Sequence, residues 1–157
     1  MKKVLALTSL LFFISIIAYG QANVKFYKES QCAYVVDEGK IYESGSTKCT
    51  KRNPLYIITE NKVYFYNKQN ECALVVIGDR IYNGSRNKDE IGELRFIIKG
   101  NELVYPDKPN ECAFIIEDNK VWYGSNNKIN RKAEQILTIE GDIEDIALYM
   151  ILFIISL

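Results

Sequence analysis

The chain repeats one phrase three times at a spacing of 40 residues, and this repeat constrains the fold more than any other feature. A cysteine and an alanine open the phrase, apolar residues follow, and an aliphatic–aromatic pair closes it (Cys32 to Tyr42, Cys72 to Tyr82 and Cys112 to Trp122). The second half of the unit corresponds as well, because residues 56–58 match residues 96–98. A period of this length is typical of repeat architectures. The sequence therefore predicts three tandem 40-residue units within one domain.

Each unit contains two stretches that are typical of β-hairpins. β-branched and aromatic residues dominate the apolar runs, while Gly, Asn and Asp occupy the short turns between them. The runs are too short for helices of ordinary length. We therefore expect an all-β fold with two hairpins in each unit, near residues 32–43, 55–66, 72–83, 94–105, 112–123 and 136–149.

The two ends of the chain predict that the sheet closes on itself. Residues 24–27 align, within one position, with the second strand of a hairpin, but no matching first strand precedes them. Residues 152–155 restart the repeated phrase without its cysteine. Pairing of the two ends would remove exposed edge strands. We expect residues 146–157 to form the closing strand, with a tail that docks on a partner or a membrane as the alternative. The expected closed form is trefoil-like or a small propeller-like ring, and an open hairpin stack is the third option.

A family resemblance rests on the second unit. The segment Ile81-Tyr82-Asn83-Gly84-Ser85, followed by Phe96-Ile97-Ile98-Lys99-Gly100-Asn101 and Leu103, resembles the repeats of small, uncharacterised exported bacterial proteins. The resemblance covers roughly residues 32 to 125. Its motifs are turn and strand chemistry, so it implies a fold of β-hairpin repeats of about 20 residues and implies no activity. The third unit departs from the pattern, since residues 134–139 need an insertion to fit.

The first 20 residues are predicted to be a secretory signal peptide. Lys2 and Lys3 precede an apolar run from Val4 to Ala18, and Ala18-Tyr19-Gly20 supplies the small residues of a cleavage site. An uncleaved membrane anchor is the alternative, but the run is short for a span and no basic cluster follows it. The mature chain is then a single domain of residues 21–157 without a transmembrane segment, exported to the periplasm or the outside of a bacterial cell.

Composition argues against several classes of function. The chain has no histidine, which removes Ser-His-Asp and Cys-His catalysis as well as histidine metal sites. Removing Lys2 and Lys3 from the 20 basic residues leaves 18 against 20 acidic ones, a net charge of −2 that gives no general attraction to nucleic acid. We therefore expect no enzyme, no cofactor and no nucleic-acid partner. A hydrolase that uses two carboxylates across a cleft is the alternative.

The four cysteines admit three interpretations. The first treats Cys32, Cys72 and Cys112 as small buried apolar residues at equivalent strand starts. The second is a disulfide between Cys32 and Cys49, which an oxidising compartment would permit. The third is a soft-metal site formed where a threefold ring brings the three equivalent thiols together; it lacks a fourth equivalent ligand, and we expect no metal.

Repeated aromatic residues are the best functional lead in the sequence. Tyr42, Tyr82 and Trp122 recur at one phase of the repeat beside polar Gly-Ser linkers, and Tyr123 follows Trp122. Aromatic faces beside Asn, Gly and Ser can stack on sugar rings, and repeated sites would add avidity. Packing between neighbouring strands is the competing interpretation.

These observations predict an exported, non-catalytic binding module that presents the loops of its repeats to a protein or a carbohydrate. A shallow surface at the Gly-Ser linkers, lined by Tyr42, Tyr82 and Trp122, would support this function. The alternative is an envelope-associated structural protein that docks through its apolar C-terminal run.

Overall fold

The fold comes from a computed structural model that describes residues 20–29, 31–87, 90–125 and 131–157. The predicted signal peptide, apart from Gly20, lies outside the described residues, as do residues 126 and 127 of the third Gly-Ser linker. The described residues form twelve strands and one helix in chain order: β1 Ala22–Phe26, β2 Cys32–Asp37, β3 Lys40–Ser46, β4 Pro54–Thr59, β5 Lys62–Phe65, β6 Lys68–Ile77, β7 Arg80–Asn83, β8 Leu94–Lys99, β9 Glu102–Val104, β10 Cys112–Glu117, β11 Lys120–Gly124, β12 Lys132–Glu140 and α1 Asp145–Ile155.

The strands form one closed antiparallel barrel. Every strand pairs with its neighbours along the chain, and β1 pairs with β12 to complete the ring. The predicted all-β class and the predicted closure are both confirmed. Closure leaves no unpaired edge in the ring, which removes the usual template for edge-to-edge aggregation.

Five of the six predicted hairpins are confirmed: β2–β3, β4–β5, β6–β7, β8–β9 and β10–β11. The sixth, placed at residues 136–149, is wrong because β12 ends at Glu140 and pairs with β1 instead of a following strand. Val24 faces Ile139 just as Val63 faces Ile58, so β1 occupies the place of the missing second strand. The sixth hairpin is therefore assembled from the two ends of the chain.

A layer of aliphatic side chains lines the inside of the barrel, with one cross-strand pair from each hairpin. All of its members belong to or pack against the main core. The six pairs are Val36–Ile41, Ile58–Val63, Val76–Ile81, Ile98–Leu103, Ile116–Val121 and Ile139–Val24. Side chains alternate between the two faces of a strand, so the residues beside each pair point away from the interior.

The C-terminal run forms a helix inside the barrel, so the closing strand predicted at 146–157 is wrong. Helix α1 buries six residues and packs them against the inward-facing strand residues (Ala147, Leu148, Met150, Ile151, Leu152 and Phe153). Barrels of about eight strands are filled by their own side chains, so a ring of twelve needs additional filling. An isolated strand inside the ring would leave its backbone groups unpaired, whereas a helix satisfies them internally.

Glycine makes the turn from β12 into the barrel possible. Gly141 has a φ of 93°, and a Cβ at this position would lie 2.5 Å from the carbonyl oxygen of Gln21. Any other residue would clash with the start of β1, which lies beside the turn. The helix then runs from this end of the barrel to the opposite end, where Phe153, Ile155 and Ser156 line clefts on different sides of the opening. Within the described ranges, no helix has the length and apolarity that crossing a membrane requires.

Helix α1 should be essential for stability because it fills the barrel. Leu152 is fully buried, so Leu152→Ala should lower the free energy of unfolding by about 3 kcal/mol through lost transfer energy and a cavity. Leu157 is 83% exposed, so Leu157→Ala is the matched control and should change it by less than about 0.5 kcal/mol. Urea unfolding followed by circular dichroism measures both. Equal effects of the two substitutions would contradict the position of the helix inside the barrel.

Candidate functional site

The three equivalent aromatic residues singled out from the sequence lie on the outer face of the barrel. Tyr42, Tyr82 and Trp122 occupy β3, β7 and β11 and face Val35, Val75 and Ile115 in the strand register. Each follows an inward-facing aliphatic residue, so each side chain points outward and is half-buried. Three strands separate each of these positions from the next around the ring. The structure therefore does not bring the three rings together.

Lysine side chains cover two of these outer rings. Lys51 Nζ lies 5.5 Å from the centre of the Tyr42 ring, and Lys132 Nζ lies 4.4 Å from the centre of the Trp122 ring. The same lysines form ion pairs with Asp37 and Glu117. Both cation–π contacts occupy an aromatic face that a stacked ligand would need. Residues 44–47 are the Gly-Ser linker of the first unit, and they do not form a separate surface turn, because Ser44 is fully buried within β3.

A second set of equivalent aromatic residues lies where α1 ends. The rim aromatics, as they are called here, are Phe26, Phe65 and Tyr105. Phe26 ends β1, Phe65 ends β5 and Tyr105 follows β9, all at the same phase of the ring. They are 38%, 38% and 39% exposed, so a similar fraction of each residue is accessible to solvent. Tyr123, also predicted from the sequence, lies at this rim and is 41% exposed.

Two of the rim aromatics are held from the barrel side by aromatic rings of the core. The rings of Phe65 and Tyr56 have centres 5.5 Å apart, and those of Tyr105 and Phe96 have centres 5.8 Å apart, both pairs tilted by 46°. Phe26 faces Leu137 at the corresponding register position. Tilted pairs at this distance are favourable and fix the orientation of the outer ring. The rim aromatics are therefore positioned by the core and remain partly open to solvent.

Three clefts that flank the rim aromatics are related by the repeat, and Phe65 also lines a fourth cleft of about 320 Å³ together with Ser85 and Phe153. Register pairing places Pro54, Leu94 and Gln135 at equivalent positions, each opposite an outer aromatic residue. The clefts have volumes of about 300, 310 and 220 Å³. Their lining residues share one pattern of strand end, rim aromatic and following polar turn: cleft 1 has Pro54, Leu55, Tyr56, Phe65, Asn67, Lys68 and Glu71; cleft 2 has Leu94, Arg95, Phe96, Tyr105, Pro106, Asp107 and Ser156; cleft 3 has Phe26, Tyr27, Lys28, Glu29, Tyr123, Glu134, Gln135, Ile136 and Ile155.

Cleft 3 contains residues from both ends of the chain. Phe26 belongs to β1, whereas Gln135 and Ile136 belong to β12. The backbone N–H of Tyr27 donates to the Ile136 carbonyl at 2.8 Å, as the Tyr66 N–H donates to the Leu55 carbonyl at 2.9 Å beside cleft 1. The same backbone contact thus supports a cleft in a hairpin and a cleft across the closure.

The cysteines fall into two classes. The structure joins Cys32 to Cys49 in a disulfide, with Cα atoms 5.1 Å apart, and the pair packs with Val35 and Tyr42 on the outer face. Cys72 and Cys112 are free and buried at the equivalent position of the other two units. The three equivalent thiols lie on different strands, and no group of metal-ligating residues occurs in the described part of the chain. Because Cys32 is in the disulfide, its sulfur is not a free thiol beside those of Cys72 and Cys112.

Burial governs the chemistry of the two free thiols. It raises the pKa of the Cys72 thiol and of the Cys112 thiol above the ordinary value for cysteine, and Glu102 adds to the rise at Cys112. Each thiol donates to strand carbonyl oxygens: Cys72 Sγ to Leu74 at 3.3 Å, and Cys112 Sγ to Phe114 at 3.1 Å. These thiols are structural groups, since reactive cysteines need an exposed thiolate.

Comparison with known protein families, with curated proteins and with solved structures found no match to this chain. The functional interpretation therefore depends on the geometry of its own residues. Sequence reasoning identified Tyr123 and missed the rim aromatics, although their common phase was readable. The offset that aligns Val63 with Leu103 also aligns Phe65 with Tyr105.

The buried thiols should react only when the protein unfolds. In native protein at pH 8, Cys72 and Cys112 should react with Ellman's reagent on the order of a hundredfold more slowly than free cysteine, because they are inaccessible and protonated. Unreduced protein in urea should then release two thiols, since the other two of the four cysteines form the disulfide. Fast native reaction of either thiol would contradict the packing.

The same pKa direction predicts a loss of stability at alkaline pH. The unfolded chain releases its thiol protons at the ordinary pKa, whereas the folded chain retains them, so the free energy of unfolding should fall as pH rises above about 9. Urea midpoints at pH 8 and pH 10 measure the change. In a Cys72→Ala, Cys112→Ala double variant, the free energy of unfolding should fall less between these two pH values. An equal fall in the wild type and the variant would show that the thiols do not cause it.

Proposed function

We propose that the protein is a non-catalytic binding module whose sites are the three rim clefts. The observation that carries this proposal is the threefold equivalence of clefts that each contain a core-supported, partly exposed aromatic ring. Partly exposed aromatic residues beside polar groups are typical of binding surfaces. Similar exposure at three equivalent positions is difficult to explain by packing, which would favour burial of the rings.

The helix supports this proposal by making the rim rigid. Arg95 of cleft 2 lies over the Phe153 ring of α1 at 5.8 Å, and Ile155 and Ser156 line clefts 3 and 2. Clefts 2 and 3 are thus connected to the most deeply buried element of the fold. A preorganised surface loses less conformational entropy on binding than a flexible one does.

The proposal includes export, for which the basic and apolar N-terminal segment is the main support. The Cys32–Cys49 disulfide is compatible with an oxidising compartment outside the cytoplasm. Docking through the C-terminal run is less favoured, because α1 buries its apolar side chains in the barrel. An outer-face site at Tyr42, Tyr82 and Trp122 is also less favoured, because lysines cover two of its rings.

The test is co-sedimentation of the chain from Gln21 with washed cell surfaces of the organism that makes it. This chain contains all twelve strands and the helix. Replacing the rim aromatics together, Phe26→Ala, Phe65→Ala and Tyr105→Ala, should reduce the bound fraction at least about tenfold, because hot-spot aromatics dominate binding. Circular dichroism and thermal unfolding should show that the variant is folded.

The matched control replaces the outer aromatics, Tyr42→Ala, Tyr82→Ala and Trp122→Ala. This triple variant has the same threefold placement and should change the bound fraction by less than about twofold. If the control alone loses binding, the site lies on the outer face and the rim proposal is wrong. A third variant, Lys28→Ala, Asn67→Ala and Asp107→Ala, covers the case in which the rim triple variant does not fold. The three replaced residues are exposed, so this variant should reduce binding without unfolding the protein.

A further inference from the structure

We propose that the rim clefts bind a neutral polysaccharide, with one sugar ring stacked on each of Phe26, Phe65 and Tyr105. This inference rests on the proposed function, because it assigns a ligand class to the same three clefts. Three independent features of the rim carry it: the form of each cleft, the balance of its charges, and the spacing of the clefts around the barrel.

The form of each cleft fits a flat ring with one apolar face. Core rings support Phe65 and Tyr105 from the barrel side, and Phe26 faces Leu137 in the strand register. More than a third of each rim aromatic residue stays exposed. Sugar rings present C–H groups on one face and hydroxyl groups around the edge. The clefts are shallow and measure about 220 to 310 Å³, which suits a small polar ring resting on an aromatic platform.

The polar neighbours favour an uncharged ligand. Each cleft combines a cation with a carboxylate: Lys68 and Glu71 lie 3.3 Å apart in cleft 1, and Lys28 and Glu134 lie 2.5 Å apart in cleft 3. Cleft 2 contains Arg95 and Asp107, and cleft 3 contains a second carboxylate, Glu29. No cleft therefore has the excess of positive charge that binding to nucleic acid or anionic lipid needs. Hydroxyl groups both donate and accept hydrogen bonds, so they can bond to a cationic side chain as well as to a carboxylate.

The spacing of the clefts favours a polymer. In barrels, neighbouring strands lie about 4.8 Å apart and tilt by about 40°, so positions four strands apart on a ring of twelve are separated by roughly 20 Å. A single small molecule cannot span that distance, whereas a chain of repeated units can occupy two or three clefts. Such multivalency raises the overall affinity by a factor of about 10² to 10⁴ over one site.

A peptide partner fits the structure less well. Extended peptides commonly add a strand to an open sheet edge, and the closed ring offers none. Helical peptides need an apolar groove, and the largest apolar space in this fold, the barrel interior, is occupied by α1. What remains at the rim is a set of separate shallow platforms, which matches separate units of one polymer.

The test uses the same washed cell surfaces after two treatments, protease digestion and periodate oxidation of sugar diols. Binding of the wild type should survive protease and fall at least about tenfold after periodate. On untreated surfaces, the rim triple variant should show a loss of binding of the same size. Loss after protease with survival after periodate would overturn the glycan inference and leave the rim proposal standing. Absence of binding to untreated surfaces would count against the proposed function itself.

Native gels containing amylose, dextran or galactomannan, all of which carry periodate-sensitive diols, provide the direct probe, with alginate as the anionic control. At least one neutral polysaccharide should retard the wild type, alginate should not, and a variant changed only at cleft 1 (Phe65→Ala) should show at least about tenfold weaker retardation, since it loses one of three linked contacts. The Tyr82→Ala variant is its control and should migrate like the wild type. Retardation by alginate alone, or by none of the four, would overturn the inference.

Discussion

Closure of a twelve-stranded ring is the constraint on which the rest of this structure depends. Closure removes sheet edges, but it also creates an interior that one layer of strand side chains cannot fill. Six aliphatic pairs line the ring, and the remaining volume is taken by an eleven-residue helix that is apolar on nearly every side. A helix of this kind is stable only when surrounded by other apolar groups. Barrel and helix therefore require each other: the ring without the helix has a cavity, and the helix without the ring exposes its apolar surface.

The closure also determines which part of the surface is available for binding. Because α1 enters beside Gly141 and ends at the opposite opening, its last residues lie among the rim aromatics and complete two of the clefts. Cleft 3 exists only when β1 and β12 are paired, so a complete rim is a property of the closed chain. Folding and the proposed binding surface are therefore coupled: the contacts that hold the chain ends together also build one of the three sites.

Much of this fold could be predicted from the sequence, because hairpins are local structures. Five hairpins follow from alternating apolar runs and turn residues, and pairing of the ends follows from the partial unit before Cys32. The helix could not be predicted in the same way. Residues 152–155 have both the composition and the repeat phase of a strand, and only the closed ring decides against it, since no strand edge remains for them to pair with. Whether an aromatic residue faces an outer lysine or an open rim is likewise set by packing between strands that are distant in sequence.

The repeat is retained in some features of the rim and has diverged in others, and the difference has a physical meaning. The rim aromatics keep similar exposure. The residue two positions after each of them differs: it is Lys28 in cleft 3, Asn67 in cleft 1 and Asp107 in cleft 2. Stacking on an aromatic face tolerates variation in the ligand. Hydrogen bonds to a charged or amide side chain instead depend on the polar substituents that the ligand ring carries. An aromatic platform shared by three clefts with three different polar partners therefore suits a ligand whose rings recur while their substituents or orientations differ from site to site. A set of identical clefts would instead be expected for three copies of one small molecule.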